Sequence, residues 1–374
     1  MMDFSFGGVG LAPHHYVEIK KNPLFALLGS QEQRLLILKP GDADLFLNLN
    51  LEKKKEKEET ANLVEKPKKP KAEKVEELDP RFYTERDLVR KVNPMLPVFG
   101  LLYKDVKTAW DLLPEEQFTQ IVWLGEDDKD LFFIHQHLFN RWKSPEEIDG
   151  HLFVSKSGSC ESIVALAVSL QSYHISILPT FSTEKKEEAV WALTLAAVNA
   201  QLAISPQKPY TQVPLTGLEA PLTPPTLLQR DRLLVSGVST IRTNGKQVIL
   251  DRLVTTQSKE DDPCFRDVNT KQILSYLRYD LKQYFSTIFS RMSLARDDFA
   301  YSGDVITPKA AKALVIARFR KWQEQSLVQD PEERFSKDVR VEVDAKNPTK
   351  LNFYLPVVVM GQLYTTQTQI CFSL

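Results

Sequence analysis

Apolar and polar positions alternate along the chain in a pattern that predicts short strands separated by helices. Four apolar runs have the length of buried strands: Arg34–Leu38, Ile121–Leu124, His151–Val154 and His174–Leu178. Helical spacing of apolar residues follows three of them: Asp130–Trp142, Ser159–Gln171 and Thr183–Gln201. Strands that alternate with helices of this length predict βαβ units, so we expect an open, mostly parallel sheet in an α/β domain.

The stretch Leu233–Thr256 predicts the end of a helix followed by a β-hairpin. Asn244 and Gly245 stand between two alternating, β-branched runs, and these residue types best tolerate the positive φ that a type I′ turn requires. A two-residue loop at these positions would place Ile241 opposite Val248. The register of the hairpin is therefore predicted from its turn.

The last third of the chain predicts an α+β unit that combines helices with an antiparallel hairpin. Apolar residues recur at three and four positions over Thr270–Arg291, which predicts a helix with one buried side. Thr307 is a predicted N-cap, and Pro308 is the first residue of a helix that extends to about position 325. Val339–Val343 alternates with charged residues as a half-buried strand, and Leu351–Met360 is predicted as its partner.

Changes in composition suggest where these regions begin and end. Residues 52–79 are nearly all Lys, Glu and Pro, with too little apolar surface to form a core, and are predicted to be a solvated linker. The predicted division is an N-terminal arm at 1–30, a first strand region at 31–118 that contains this linker, the α/β domain at 119–225, the α+β domain at 226–361, and a C-terminal strand arm at 362–374.

Overall composition excludes several functional classes. The chain has 374 residues, 43% of them hydrophobic, which is ordinary for a globular protein with two or three domains. Its 48 basic and 49 acidic residues give a net charge of −1, so no global field attracts nucleic acid. No stretch is long and apolar enough to predict a membrane span. Cys160, Cys264 and Cys371 are widely spaced, which favours free thiols in a reducing cytoplasm.

Candidate catalytic residues do not form a recognisable constellation. Ser155–Cys160 follows a predicted strand, where backbone amides could hold an anion, yet it is neither a phosphate loop nor a nucleophile elbow. A turn with an N-cap accounts for the same residues. His135 and His137 are two apart in a predicted helix and cannot share a face. The remaining candidates are isolated or in polar loops: His14, His15, His151, His174, Asp127, Asp128, Asp261 and Asp262. We therefore predict no catalytic, cofactor-binding or metal-binding residue.

The C-terminus has an unusual composition. No charged residue follows Lys350, and the last thirteen residues are β-prone. If they form a strand, alternate residues share one side: Tyr364, Thr366, Thr368, Ile370 and Phe372. An uncharged strand of this kind left exposed would promote aggregation, so something must cover it. It could pair within the chain's own sheet, or it could add to a sheet of a neighbouring subunit.

Several short motifs, in this order and spacing, resemble the tail sheath proteins of Mu-like contractile-tailed phages. They begin with Leu215–Pro221 and Leu233–Leu234 and continue beyond the hairpin to Thr307–Pro308. The matching single residues are Gly237, Thr240, Asn244, Gly245, Arg252, Asp267, Arg278, Thr307 and Pro308. The resemblance covers residues 215–374 well and the N-terminal half in outline.

The resemblance implies a mechanical role, in which subunits polymerise around a tail tube and contract to drive the tube into a cell during genome ejection. It implies no cofactor and no enzymatic activity. The implied partners are further copies of the chain, in a helical homo-oligomer of stacked hexameric rings, with tail tube, baseplate and tail terminator proteins. Neither a membrane nor direct nucleic-acid binding is implied. The implied location is the virion tail, assembled in the bacterial cytoplasm.

In such sheaths, terminal arms join strands of neighbouring subunits, so the resemblance implies inter-subunit roles for Tyr16, Val17, Ile19, Tyr364, Thr366, Thr368, Ile370 and Phe372. The chain departs from the family where a longer outer insertion is usual, since only the linker and Arg81–Trp110 stand there. A compact sheath, a prophage product and an injection-particle sheath remain open. So do a monomeric baseplate or adaptor component, whose terminal strand would fold back on its own chain, and an α/β hydrolase.

Overall fold

A computed structural model describes residues 31–50, 79–143, 145–182, 184–258, 263–297 and 303–371. The described residues form two compact units. The central unit contains residues 33–201 and 212–260, and the C-terminal unit contains residues 31–32, 202–211 and 261–374. The predicted N-terminal arm and nearly all of the predicted linker lie outside the described residues.

A six-stranded sheet is the framework of the central unit. Its strands are β1 (Leu35–Pro40), β2 (Leu45–Asn48), β3 (Val98–Tyr103), β4 (Gln120–Trp123), β5 (His151–Lys156) and β6 (Ile175–Pro179). The spatial order is β2-β3-β1-β4-β5-β6, and β2 is the one antiparallel strand. The predicted mostly parallel sheet is therefore confirmed.

The described residues of this unit include the helices α1 (Tyr83–Val92), α2 (Val106–Ala109), α3 (Lys129–Trp142), α4 (Cys160–Leu170), α5 (Lys186–Leu202) and α6 (Leu227–Val235). Side chains from α3, α4, α6 and the turn after α2 share one apolar cluster with the sheet. Ten consecutive residues of α5, numbers 191–200, are buried. Burial of a whole helix explains why its sequence is apolar on all sides.

The first strands belong to the same sheet as the later ones, so the predicted boundary after residue 118 does not separate two units. All six residues of β3 pair with β1, and β1 also pairs with β4. β3 was not predicted: it lies in the segment Arg81–Trp110, where no helix or strand was expected. Gly100 interrupts the apolar run of β3 because Phe82 packs above it, with its ring 2.8 Å from where a Cβ would lie.

The hairpin is present but its register differs from the prediction. It consists of β8 (Thr240–Asn244) and β9 (Gln247–Arg252), with β7 (Val213–Pro214) on the other side of β9. Asn244 pairs with Gln247, so the turn residues are Gly245 and Lys246, and only Gly245 has positive φ. This pattern fits a type II′ turn rather than type I′. The shift places Ile241 opposite Leu250, and both are fully buried.

The hairpin also belongs to the central unit and not, as predicted, to the domain from residue 226 onwards. The C-terminal unit contains α7 (Val268–Ile288), β10 (Ser293–Leu294), β11 (Val305–Ile306), α8 (Pro308–Glu324), α9 (Glu332–Asp338), β12 (Arg340–Val343) and β13 (Leu351–Tyr354). The predicted cap of α8 is present, since Thr307 Oγ1 accepts from the amide of Ala310 at 3.2 Å and Pro308 begins the helix. The β12–β13 pair is antiparallel, but β13 ends at Tyr354 and not at Met360 as predicted.

A buried ion pair joins α7 to α8 inside this unit. The carboxylate of Asp280, which is 3% exposed, accepts hydrogen bonds from Nε and Nη2 on one edge of the Arg318 guanidinium. The indole nitrogen of Trp322 donates to the same carboxylate at 2.7 Å. The arginine lies over the ring of Tyr284, 5.1 Å from its centroid. Several donors thus satisfy one buried acid, which is the condition for tolerating a charge in a core.

Candidate functional site

The carboxyl ends of the parallel strands are where open α/β sheets usually bind small ligands, above all where the strand order reverses. In the central unit this position lies beside the ends of β1, β3 and β4. The Trp123 indole at the end of β4 donates to the hydroxyl of Tyr103 at 2.8 Å, and both side chains are buried. Lys156 places its ammonium 4.8 Å from the indole centroid and 2.6 Å from Asp128. These side chains therefore contact one another at this edge of the sheet.

The electrostatics of this crevice follow from its burial. Burial raises the pKa of Tyr103, and the nearby charge of Asp130 adds to the shift. The Tyr103 hydroxyl donates to Asp130 Oδ2 at 3.3 Å. Burial also raises the pKa of Asp130, with smaller contributions from the charges of Asp127 and Asp105. Trp123, Tyr103 and Asp130 are therefore linked to one another by hydrogen bonds.

The Ser155–Cys160 segment, which could have held an anion, is satisfied by its own chain. The backbone amide of Ser157 donates to Glu188 Oε1 at 2.8 Å, and its hydroxyl donates to the same oxygen. Ser159 caps α4 by accepting from the amide of Ser162 at 3.2 Å. The carboxylate of Glu188 thus occupies the position where an external anion would bind to the Ser157 amide. The turn and N-cap interpretation agrees with this geometry.

The other candidate residues lie apart from one another. On α3, His135 Nδ1 is 2.7 Å from the hydroxyl of Ser172, whereas the His137 ring packs against Trp110 and Phe133 at 5.2 and 4.6 Å between centroids. Asp127 accepts from the amide of Lys129 at the start of the helix. His14, His15, Asp261 and Asp262 lie outside the described residues. Within the described part of the chain, no group of three or more potential ligand side chains is placed to hold a metal ion.

The hairpin motif closes one edge of the central sheet. The amides of Ser239 and Thr256 donate to Ile177 and Ile175 of β6, at 2.9 and 2.8 Å. The Ser239 hydroxyl donates to Val254 O, whose own amide donates back to that hydroxyl. Arg252 pairs with Thr240 across an irregularity in the ladder. These contacts place Thr240 and Arg252 at the base of the hairpin, beside the outermost strand.

Gly237 lies where this base meets the chain arriving from α6. Its φ is +77°, and a Cβ there would lie 2.9 Å from the carbonyl carbon of Thr256. A side chain cannot fit without moving backbone, so glycine is required by space as well as by conformation. The remaining motif residues, Asp267 and Arg278, are the N-cap residue and a middle residue of α7.

The C-terminal segment from Val359 contacts its own unit as far as Tyr364 and is exposed after that residue. Met360 donates its amide to Leu327 O at 2.9 Å, and Val359 forms an isolated antiparallel bridge with Val328. The Tyr364 hydroxyl lies 3.4 Å from Asn269 Oδ1 of α7. From position 365 to position 371 every residue is exposed, including Thr366, Thr368 and Ile370, and the structure assigns no strand pairing there.

The predicted terminal strand is therefore not paired within the described residues, and Tyr364 contacts its own unit. Phe372, Tyr16, Val17 and Ile19 lie outside the described residues, so their predicted roles are untested. The β12–β13 sheet has no third strand in the described part of the chain. Its connecting loop is fixed by Asp344, whose pKa is lowered to about 2 because Asn352 and the amides of Lys346 and Asn347 donate to its carboxylate.

Sequence comparison identifies the central region. Residues 103–256 match the family model described as the phage tail sheath protein central domain. The tail sheath protein of the Mu-like prophage FluMu from Haemophilus influenzae is 30% identical over 267 residues, which cover 68% of this chain. The chain spans about half (53%) of the length of that curated relative.

Solved structures share the fold of this chain. The sheath tail protein from Desulfitobacterium hafniense covers 93% of this chain and 97% of its own, with a TM-score of 0.56 and 9% identity. The contracted sheath complex of an extracellular contractile injection system covers 98% and 99%, with a TM-score of 0.58 and 12% identity. In the described residues no helix is long and apolar enough to span a bilayer. We conclude that residues 103–256 are a phage tail sheath central domain and that the chain is similar to the tail sheath protein of a Mu-like prophage.

Proposed function

We propose that this protein is the structural subunit of a contractile tail sheath in a virion tail. Subunits would polymerise around a tail tube as a helical homo-oligomer and contract to drive the tube through the cell envelope. The single observation that carries the proposal is the C-terminal segment at 365–371, which is exposed, uncharged and without a strand partner in its own described chain. A strand of this kind is suited to pairing with another subunit.

The acceptor for this segment would be the β12–β13 sheet of a neighbouring copy. A two-stranded sheet is marginal alone and gains stability from a further strand. Each added main-chain hydrogen bond contributes about 0.5–1.5 kcal/mol net, so a short arm gives a useful but reversible gain. Arms joined in this way would keep subunits linked while the folded part of each subunit moves as a rigid body. Tail tube, baseplate and tail terminator proteins would be the other partners.

The mechanical role needs no chemical step in this chain. The energy of contraction would come from new contacts between subunits, because a head-to-tail interface that does not close on itself generates helical tubes. The hydrogen bond of Trp123 with Tyr103 and that of the Ser157 amide with Glu188 support a role without catalysis. The FluMu relative is named for the same structure, a tail sheath.

Negative-stain electron microscopy of the purified chain over a range of concentrations tests the proposal. The full chain should form tubes or stacked rings, and a version ending at Gly361 should not. Monodisperse particles from both versions, even at high concentration with tail tube added, would contradict sheath assembly and favour a monomeric baseplate or adaptor component.

A matched pair of variants separates strand addition from a general effect of shortening. Gln367 and Thr368 are adjacent and exposed, so in a strand their amides would point to opposite edges. Replacing both with proline removes both donors and should abolish tubes, since proline cannot join a ladder. Replacing both with alanine keeps the donors and should preserve tubes. Equal tube formation by the two variants would show that the segment does not act as a strand.

A further inference from the structure

Within the described residues, the last attachment of the C-terminal segment to its own unit is at Tyr364. The amide of Met360 donates to Leu327 O at 2.9 Å, and this is the last main-chain hydrogen bond of the segment in the described part of the chain. The next attachment is made by a side chain, since the Tyr364 hydroxyl donates to Asn269 Oδ1 at 3.4 Å. The exposed segment therefore begins at Thr365.

The residues just before this point alternate between exposed and partly buried. Gly361 and Leu363 are exposed, whereas Gln362 and Tyr364 are partly buried, and the Oε1 atom of Gln362 is buried completely. Such alternation is typical of an extended segment with one side against a protein surface. It ends at Tyr364, because every residue from 365 to 371 is exposed.

The acceptor of the Tyr364 hydroxyl is a buried side chain at the start of α7. Asn269 is fully buried, and its Nδ2 has no hydrogen-bond partner among the described residues. Tyr364 therefore supplies the hydrogen bond that this side chain forms within those residues. Removing the hydroxyl would leave a buried amide without a partner, which costs more than the net contribution of an ordinary hydrogen bond.

Asn269 has a polar neighbour on α7 that binds another distant part of the chain. Gln272 accepts from the hydroxyl of Tyr210, which is fully buried. Residues three apart are neighbours on a helix, so Asn269 and Gln272 form one polar row on α7. Burial raises the pKa of Tyr210, and the nearby Tyr364 adds to this rise. The two tyrosines thus bind neighbouring positions of one helix.

The helix that receives Tyr364 is itself fixed within the C-terminal unit. Ser275 donates to Gln31 Oε1 at 3.3 Å, three positions beyond Gln272. Further along α7, Asp280 accepts from Arg318 and Trp322 of α8. A segment attached to a fixed helix starts from a defined position, which lowers the conformational cost when that segment binds a partner.

An attachment at Tyr364 would fix the reach and the orientation of the segment that follows. An extended chain spans about 3.3 Å per residue, so loss of the attachment would add residues 361–364, or about 13 Å, to the exposed segment. In an extended segment, Thr366, Thr368 and Ile370 lie on the same side as Tyr364. A slip of one residue would turn all three to the other side.

We propose that Tyr364 is a positioning residue for strand addition: its hydrogen bond to Asn269 sets the point from which the C-terminal segment extends to a neighbouring copy. The inference rests on the proposed function and adds to it a fixed origin for the arm. A contact that instead holds the segment back from a neighbour would have the opposite effect on assembly.

Spin labelling tests the attachment in the single subunit, below the concentration at which tubes form. In a chain whose three cysteines are replaced with serine, a nitroxide on Leu363→Cys should move slowly. Adding Tyr364→Phe should make it about as mobile as a nitroxide on Gln367→Cys. Tyr284→Phe is the matched control, because its hydroxyl donates to Leu314 O at 3.3 Å in the same unit, and the label should stay slow. Equal mobility of the Leu363→Cys label with and without the Tyr364 hydroxyl would overturn the inference.

The concentration needed for tube formation tests the positioning role. Tyr364→Phe should raise it about three- to tenfold, and Asn269→Leu should have a similar effect. The double variant should recover part of the loss, because neither polar group is then left without its partner. Tyr284→Phe should leave the concentration unchanged, and circular dichroism checks that each variant is folded. A lower concentration for Tyr364→Phe would show that the contact holds the segment back, which would overturn the inference.

The two measurements separate this inference from the proposed function. If the unchanged chain forms no tubes, the sheath role and the positioning role both fail, even where a slow label shows that the attachment exists. If the unchanged chain and Tyr364→Phe form tubes at the same concentration, the sheath role stands and the inference alone is overturned.

Discussion

Replacing Gly237 with alanine should destabilise the central unit more than the same change at another left-handed glycine. Gly237 has a φ of +77°, and an alanine there incurs about 1–2 kcal/mol of backbone strain. Its Cβ would also lie 2.9 Å from the Thr256 carbonyl carbon and 3.0 Å from the Thr255 oxygen. Backbone atoms cannot rotate away as a side chain can, so overpacking adds about 1–3 kcal/mol. The expected total loss is about 2–5 kcal/mol.

Gly245→Ala is the matched control. Its φ is +60°, but no atom lies within 4 Å of the added Cβ, so only the strain of about 1–2 kcal/mol applies. Urea unfolding followed by tryptophan fluorescence compares the two variants, because Trp110, Trp123, Trp142 and Trp191 all lie in the central unit. Hydrogen exchange at the Ser239 and Thr256 amides should quicken in Gly237→Ala alone. Equal losses in the two variants would refute the argument from close packing.

Three further predictions concern buried or clustered charges. Asp280→Ala should lower the free energy of unfolding of the C-terminal unit by about 3–5 kcal/mol, because it leaves the Arg318 guanidinium without its acceptor. In urea unfolding, the double variant with Arg318→Met should recover part of this loss. The pKa of Asp344 is lowered to about 2, so its stabilisation of the β12–β13 loop is present above pH 3.8 and is lost as the pH falls towards 2. Hydrogen exchange of the β12 and β13 amides should quicken over that range in the unchanged protein, and not in Asp344→Asn. Burial lowers the pKa of His135 and His137, so the unfolded chain binds protons before the folded chain does. The urea midpoint of the central unit should therefore fall as the pH drops below 6.5. His137→Gln should make the midpoint depend less on pH, and an unchanged dependence would show that His137 does not contribute.

The sequence predicted the elements whose apolar pattern repeats over many residues. The bounds of α3, α4 and α8 were predicted to within a few residues. Burial of one side of a helix requires apolar residues every three or four positions, and this spacing is visible in the local sequence. The cap at Thr307 and Pro308 is equally local. β3 is different: its apolar run at Val98–Tyr103 is visible in the sequence, but its place between β2 and β1 depends on pairing with β1, some sixty residues earlier.

Features that depend on distant partners could not be predicted in the same way. The hairpin register was wrong because burial of Ile241 against Leu250 prevails over the preference of Asn244 for a turn. The carboxylate of Asp280 meets Arg318 across 38 positions, and nothing in either helix alone indicates the pair. The exposure of Leu227 and Leu228 on α6 was not predicted either, because it depends on which side of the helix packs against the rest of the unit.

The base of the hairpin covers the edge of β6, which would matter if many copies of the chain assemble as proposed. When many copies stand side by side, an open sheet edge becomes a template for exchanging strands in the wrong place. The amides of Ser239 and Thr256 occupy the acceptors of β6 without forming another regular strand that a neighbour could extend. In the proposed sheath, the uncharged C-terminal segment could therefore pair with a neighbour while the β6 edge of the six-stranded sheet would not. Weakening the base should therefore appear first as wrongly joined subunits, in molecules that are still folded.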